Sequence, residues 1–145
     1  MAKYHQGIYK LKNPDKYKGD PTSVIYRSSW ELKFMNWCDN NQAIVFWSSE
    51  ETIIPYICAT DNRPHRYFVD FKIQVKSKDG TLKTYLVEVK PSKELLPPTT
   101  KNKKRYLIEA KTFMKNQSKW SYAVQYCKDR GWEFKVITEK ELNIK

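Results

Sequence analysis

Apolar and polar residues follow two different periods along the chain. In residues 29–39 the apolar positions recur every three or four residues, which is typical of an amphipathic helix. In residues 67–90 they alternate with polar positions, and Lys78-Asp79-Gly80 predicts a tight turn between two β-strands. The same patterns predict strands at 43–47, 52–58 and 132–138, and loops at 60–66 and 91–102. They also predict helices at 103–115 and 118–129, with Gly131 as the stop of the second helix, and a helical turn at 139–143.

The order of these elements indicates the fold class. Residues 1–26 are polar, rich in lysine and tyrosine and broken by Pro14, Gly19 and Pro21, so we expect an extended basic arm or loop. Residues 27–145 are long enough for one domain with its own core. A helix, several strands, two helices and a last strand predict an α/β (α+β) fold, in which helices flank a mixed β-sheet.

The predicted hairpin brings two acids and a lysine to one face. Folding about the turn places Asp70 near Glu88, and side chains alternate with a period of two, so Lys90 joins them. An ordinary cross-strand acid–lysine pair on an exposed face remains an alternative explanation. The opposite, apolar face is expected to contain Val69, Phe71, Ile73, Val75, Tyr85, Val87 and Val89.

This group of side chains favours metal-assisted hydrolysis. Two carboxylates held close together repel each other, and a divalent cation such as Mg²⁺, for which Mn²⁺ can substitute, relieves the repulsion. A bound cation polarises a phosphodiester and lowers the pKa of its water. Asp70 and Glu88 are therefore predicted metal ligands, with the backbone carbonyl of Val89 as a further ligand. Lys90 is predicted to orient the attacking water or to stabilise charge on the phosphate.

A third acid precedes the hairpin. Ser28-Ser-Trp-Glu31 fits a capping box, in which Glu31 bonds back to the backbone of the cap residue. The functional alternative is that Glu31 projects toward the metal. Taken together with the hairpin, the sequence favours Glu31 as a direct or water-mediated metal ligand.

The charge of the chain points to a polyanionic partner. Lysine and arginine total 27 against 16 acidic residues, which gives a formal charge of +11. Nucleic acid is the first candidate, although a basic surface also serves solubility. The residues expected to contact DNA phosphates are Arg27, Ser28, Arg63, Arg66, Lys101, Lys103, Lys104 and Arg105.

The remaining composition excludes several classes of protein. Three distant cysteines are interpreted as buried thiols in a reducing compartment, and with two histidines a zinc site or a catalytic histidine is not expected. No apolar run has the length of a membrane span and no signal-peptide pattern opens the chain, so we expect a cytoplasmic protein without a membrane partner.

Glu31, Tyr67-Phe-Val-Asp70-Phe and Glu88-Val-Lys90 resemble the core of the PD-(D/E)XK nucleases. The resemblance implies a restriction-endonuclease-like fold in which these acids and the lysine bind Mg²⁺ and cleave DNA. Val69 departs from the family pattern, which usually has proline there.

A narrower resemblance covers residues from about 24 to 142. RSSWELKFMNWCDNN, HRYFVDF and VEVKP are similar to the head completion nucleases of large tailed phages and to the transposon-end endonuclease family. This implies action on packaged double-stranded DNA ends before tail joining. It also implies head or portal vertex proteins as partners, and a location in the host cytoplasm during assembly, with the virion as a second location.

Two other functions remain open at this point. The fold can serve as the scaffold of a non-catalytic DNA-binding virion protein at the portal vertex. The same site can also resolve branched DNA, which would require a dimer to cut two strands. The sequence leaves the oligomeric state open.

Overall fold

A computed structural model describes residues 6–143, in which two α-helices flank two β-sheets, with a short strand pair near the N-terminus. Two short 3₁₀ helices lie at Pro14–Lys16 and Ser92–Leu95. In chain order the elements are β1 (Gly7–Ile8), β2 (Ile25–Tyr26), α1 (Ser29–Asn40), β3 (Ile44–Ser49), β4 (Ile53–Cys58), β5 (Arg63–Phe68), β6 (Phe71–Lys76), β7 (Leu82–Val89), α2 (Lys103–Arg130) and β8 (Glu133–Ile137).

The central sheet has four strands in the order β3-β6-β7-β8. The first three are antiparallel, and β8 lies parallel to β7. Parallel neighbours need a long connection, and α2 supplies it by crossing from the end of β7 to the start of β8. The predicted fold class, a mixed sheet flanked by helices, is confirmed.

Helix α1 agrees with its prediction to within one residue. The Ser28 side chain caps its start by accepting the Glu31 N–H at 3.1 Å, and Asn41 ends it. Trp30, Phe34 and Cys38 recur at helical spacing and are buried against one face of the central sheet.

The prediction of two helices at 103–115 and 118–129 is wrong, because α2 continues without a break over 28 residues. Asn116 and Gln117 stand at the predicted break, but neither residue interrupts helical hydrogen bonding as proline does. The end of the helix is as predicted: Gly131 has the left-handed φ of 72° that suits glycine after a helix.

The predicted loop at 60–66 is also wrong, because strand β5 begins at Arg63 and pairs with β4 in a separate two-stranded sheet. Pro64 stands opposite Ile57, and such a two-stranded sheet has only edge strands, where proline is tolerated.

The chain bends at Val69 and Asp70, between β5 and β6, so Val69 packs with Leu86 and Trp120 on the α2 side of the sheet. Phe71 and Ile73 pack on the α1 side. The prediction that Val69 shares a face with Phe71 is therefore wrong.

Part of the predicted arm packs against the core. Tyr9, Tyr17 and Val24 are buried, and the edge of the Tyr17 ring contacts Trp47 at 4.8 Å between ring centres. Asp39 anchors this segment by accepting the Tyr9 hydroxyl at 2.7 Å. From Gln6 onward the segment therefore packs on the core as a loop rather than as an extended arm. The boundary predicted between residues 26 and 27 stays a prediction.

Cys38, Cys58 and Cys127 are buried free thiols, as expected. Among the described residues, no helix is long and apolar enough to cross a membrane.

Candidate active site

The register of the central sheet brings Asp70 and Glu88 together. Phe71 pairs with Val87 at the end of the β6–β7 ladder, so the next residues outward, Asp70 and Glu88, face each other. Asp70 Oδ2 accepts the Val89 N–H at 2.9 Å, which fixes its carboxylate against the end of β7. The Val89 carbonyl as a metal ligand stays a prediction.

Glu88 is the more enclosed of the two acids, with 5% of its surface exposed. Its Oε1 accepts a hydrogen bond of 2.6 Å from the Tyr67 hydroxyl. Its Oε2 lies 3.5 Å from Lys90 Nζ. The structure thus brings together the hairpin acids and the lysine that the sequence predicted.

The charges in this group shift the pKa values of Asp70 and Lys90. Burial raises the pKa of Asp70 well above its ordinary value, and the carboxylates of Glu88 and Glu31 raise it further. Burial acts to lower the pKa of Lys90, but Glu88 and Asp70 outweigh it, so the pKa is raised and the ammonium form is favoured. Such a site is suited to a cation, because two carboxylates confined together disfavour their own ionisation.

Glu31 takes part in capping and also approaches the acids. Its Oε1 accepts the Arg27 N–H at 3.3 Å, one residue before the cap residue that the capping box predicted. Burial raises the pKa of Glu31, and the charges of Glu50 and Glu88 add to the effect. The two roles weighed for Glu31 are therefore compatible. Its role as a metal ligand remains a prediction.

Two charged residues near the site were missed by the sequence analysis. Glu50 follows β3, its N–H donates to the Asp70 carbonyl at 3.0 Å, and its carboxylate binds Arg27. Lys119 projects from α2 with its Nζ 5.4 Å from the centre of the Tyr67 ring. No local motif marks either residue, since both reach the site through tertiary packing.

The predicted DNA-binding residues lie in three places. Arg27 and Ser28 precede α1, where Glu50 accepts two hydrogen bonds from Arg27, at 3.0 and 3.1 Å. Arg63 and Arg66 are exposed on β5. The third group is exposed at the start of α2, whose first turn has no acidic residue, and comprises Lys101, Lys103, Lys104 and Arg105.

One other cluster has the donor types of a metal site. Cys58 Sγ, a carboxylate oxygen of Asp61 and a ring nitrogen of His65 lie within 4.8 Å of one another at the β4–β5 turn. Sulfur and nitrogen donors suit Zn²⁺ rather than Mg²⁺. In the structure, His65 bonds to Asp61 at 2.8 Å, and the Cys58 thiol bonds to the Thr60 hydroxyl at 3.0 Å. These hydrogen bonds account for all three side chains.

With this geometry established, comparison with known proteins places the chain among endonucleases. Residues 41–139 match the family described as TnsA-like endonuclease N terminal. The match covers Asp70, Glu88 and Lys90, and the chain belongs to this TnsA-like endonuclease family.

The similarity to one relative covers nearly the whole chain. The head completion nuclease of Enterobacteria phage T4 is 38% identical over 144 residues, which cover 95% of this chain and 93% of the relative. The resemblances to transposon-end endonucleases and to phage head completion nucleases are therefore confirmed.

Proposed function

We propose that this protein is a Mg²⁺-dependent DNA endonuclease that hydrolyses phosphodiester bonds during phage head completion. The observation that carries the proposal is the meeting of Asp70, Glu88 and Lys90 at the adjoining ends of β6 and β7. The family and the similarity to the phage nuclease support the same activity.

The donor set fits a hard divalent cation. Asp70 and Glu88 offer carboxylate oxygens from adjoining strand ends, and Glu31 and the Val89 carbonyl would complete the oxygen ligands that Mg²⁺ prefers. Mn²⁺ would substitute. When bound, the cation supplies Lewis-acid polarisation of the phosphodiester and an acidified water.

Other side chains of the protein would position the metal ligands, the water and the DNA. Tyr67 fixes one oxygen of Glu88 through its 2.6 Å hydrogen bond. Lys90 remains an ammonium because of the two acids, so it would hold the attacking water or stabilise charge on the phosphate. The exposed basic residues at the start of α2 would bind other phosphates of the double-stranded DNA, at some distance from the bond that is cleaved.

The activity can be tested with one matched pair of variants. We expect the wild-type protein to cleave linear and supercoiled DNA with Mg²⁺ but not with EDTA. Glu88→Gln should not cleave, because it loses the carboxylate charge. The control is Glu133→Gln, the same chemical change at an exposed position of β8, which should cleave like the wild type.

The outcomes separate the proposal from its alternatives. Equal cleavage by wild type and Glu88→Gln would exclude this site. A wild-type protein that binds DNA without Mg²⁺ and yields no product would favour the non-catalytic virion protein. Cleavage of branched DNA alone by a dimer would favour the resolving nuclease.

A further inference from the structure

Lys119 lies beside the proposed active site. It belongs to helix α2, which the sequence analysis did not place near this site. Its ammonium nitrogen stands 5.4 Å from the centre of the Tyr67 ring. The hydroxyl of that ring donates to Glu88 Oε1 at 2.6 Å. One aromatic side chain therefore separates Lys119 from a proposed metal ligand.

Lys119 contacts no carboxylate directly among the described residues, although the charges of Glu88 and Asp70 act on it from a distance. Within residues 6–143, this lysine makes no hydrogen bond and no ion pair, whereas Lys90 Nζ lies 3.5 Å from Glu88. Lys119 is half-buried, and burial lowers its pKa. A desolvated lysine is normally paired, and a contact with an aromatic ring offsets only about 0.5–2 kcal/mol of the cost.

An anion would be a suitable ligand for the ammonium group of Lys119. Lys90 already contacts Glu88 at 3.5 Å, so this acid offsets part of its charge before any substrate arrives. Lys119 approaches from α2 and contacts the Tyr67 ring rather than either acid. A phosphate placed against the acidic site would meet this ammonium, and its negative charge would favour the protonated lysine.

We infer that Lys119 binds a phosphate oxygen of the DNA at the proposed active site, as a second lysine beside Lys90. This inference rests on the proposed function, because it takes the ligand to be the phosphodiester that the site cleaves. As negative charge grows on the phosphate during hydrolysis, the same contact would strengthen, so Lys119 would contribute to catalysis as well as to binding.

The first test measures DNA binding without cleavage. Affinity for duplex DNA is measured in EDTA at several salt concentrations for wild type, Lys119→Gln and the control Lys78→Gln, which removes a lysine from the exposed β6–β7 turn. Loss of one phosphate contact should reduce the slope of log affinity against log salt by about 0.9. We expect that reduction for Lys119→Gln and an unchanged slope for Lys78→Gln.

Cleavage with Mg²⁺ provides the second measurement. Lys119→Gln should reduce kcat/KM by at least tenfold, and Lys119→Arg, which keeps a cation, should recover most of it. A Lys119→Gln variant with the wild-type salt slope and the wild-type rate would overturn the inference while leaving the nuclease function intact. An inert wild type whose slope still falls with Lys119→Gln would refute the nuclease and retain the anion site.

A third measurement uses the wild-type protein alone, in case Lys119→Gln does not fold. Acetylation of individual lysines is followed by mass spectrometry with and without DNA, in EDTA. We expect DNA to protect Lys119 and to leave Lys78 reactive. Equal acetylation of Lys119 in both conditions would contradict the phosphate contact.

Discussion

Replacing Asp70 with asparagine should stabilise the metal-free protein while abolishing cleavage. The Val89 N–H that now donates to Asp70 at 2.9 Å would still find an amide oxygen. The substitution removes the charge that burial, Glu88 and Glu31 disfavour. A destabilising repulsion would thus disappear with little loss of hydrogen bonding.

The size of the effect follows from the sheet geometry. Side chains on directly opposed residues have their Cβ atoms about 5 Å apart. If the two carboxylate charges are taken to lie at the same separation, they repel by about 3 kcal/mol at an effective dielectric constant of about 20. The attraction of Lys90 to Asp70 is lost as well, which leaves a net gain of about 1–2 kcal/mol. For a chain of this length the gain corresponds to a Tm increase of about 2–8 °C.

The pH dependence gives the sign of the effect. Because the pKa of Asp70 is raised by folding, its ionised form is the costly one. The cost is fully present above the folded-state pKa and vanishes as the pH falls below the unfolded value, about 3.9. The difference between wild type and Asp70→Asn should therefore grow as the pH rises above about 3.9 and disappear in acid.

Urea unfolding in EDTA at pH 7.5 and at about pH 4 measures this difference. Adding Mg²⁺ at pH 7.5 should stabilise the wild type by mass action and leave Asp70→Asn unchanged. The control is Asp79→Asn in the β6–β7 turn, where hydrogen bonds from Thr81 lower the carboxyl pKa, so no gain is expected. An Asp70→Asn variant that is less stable than wild type at pH 7.5 in EDTA would refute the electrostatic argument.

Four further predictions concern single features of the structure. Lys90→Ala should abolish cleavage with folding and DNA binding mostly intact, as measured by product formation, circular dichroism and gel shift. Tyr67→Phe should cost about 1.5–3 kcal/mol in urea unfolding at pH 7, because a buried carboxylate loses a hydrogen bond. Replacing Lys103 and Lys104 together by glutamine should reduce the salt slope of DNA binding by about 1.8, and an unchanged slope would exclude both contacts. Gly131→Ala should lower the free energy of unfolding by about 1 kcal/mol, because alanine disfavours a φ of 72°.

The sequence predicted the pairing of the acids because it depends on local rules. A turn signal at Lys78-Asp79-Gly80 and an alternation with period two suffice to place Asp70 opposite Glu88. The helix cap at Ser28 and the helix stop at Gly131 are equally local, and both are confirmed.

The wrong predictions concern features that depend on tertiary packing rather than on local sequence. Val69 changes faces because the chain bends before β6, and β5 pairs with β4 instead of continuing β6. The predicted break within α2 lies at Asn116 and Gln117, which do not interrupt helical hydrogen bonding. Lys119 was assigned no functional role, because its approach to Tyr67 depends on how α2 packs across the sheet.

The unbroken length of α2 would set the shortest duplex that can reach both of the proposed phosphate contacts on this helix. Fifteen residues separate Lys104 from Lys119, and a rise of about 1.5 Å per residue sets them about 22 Å apart along the helix axis. At about 3.4 Å per base pair, a straight duplex touching both lysines spans six to seven base pairs, roughly two thirds of a helical turn. A duplex that extends less than this beyond the scissile bond would lose the contact with Lys104. The length of α2 would therefore determine how much duplex must remain for full binding.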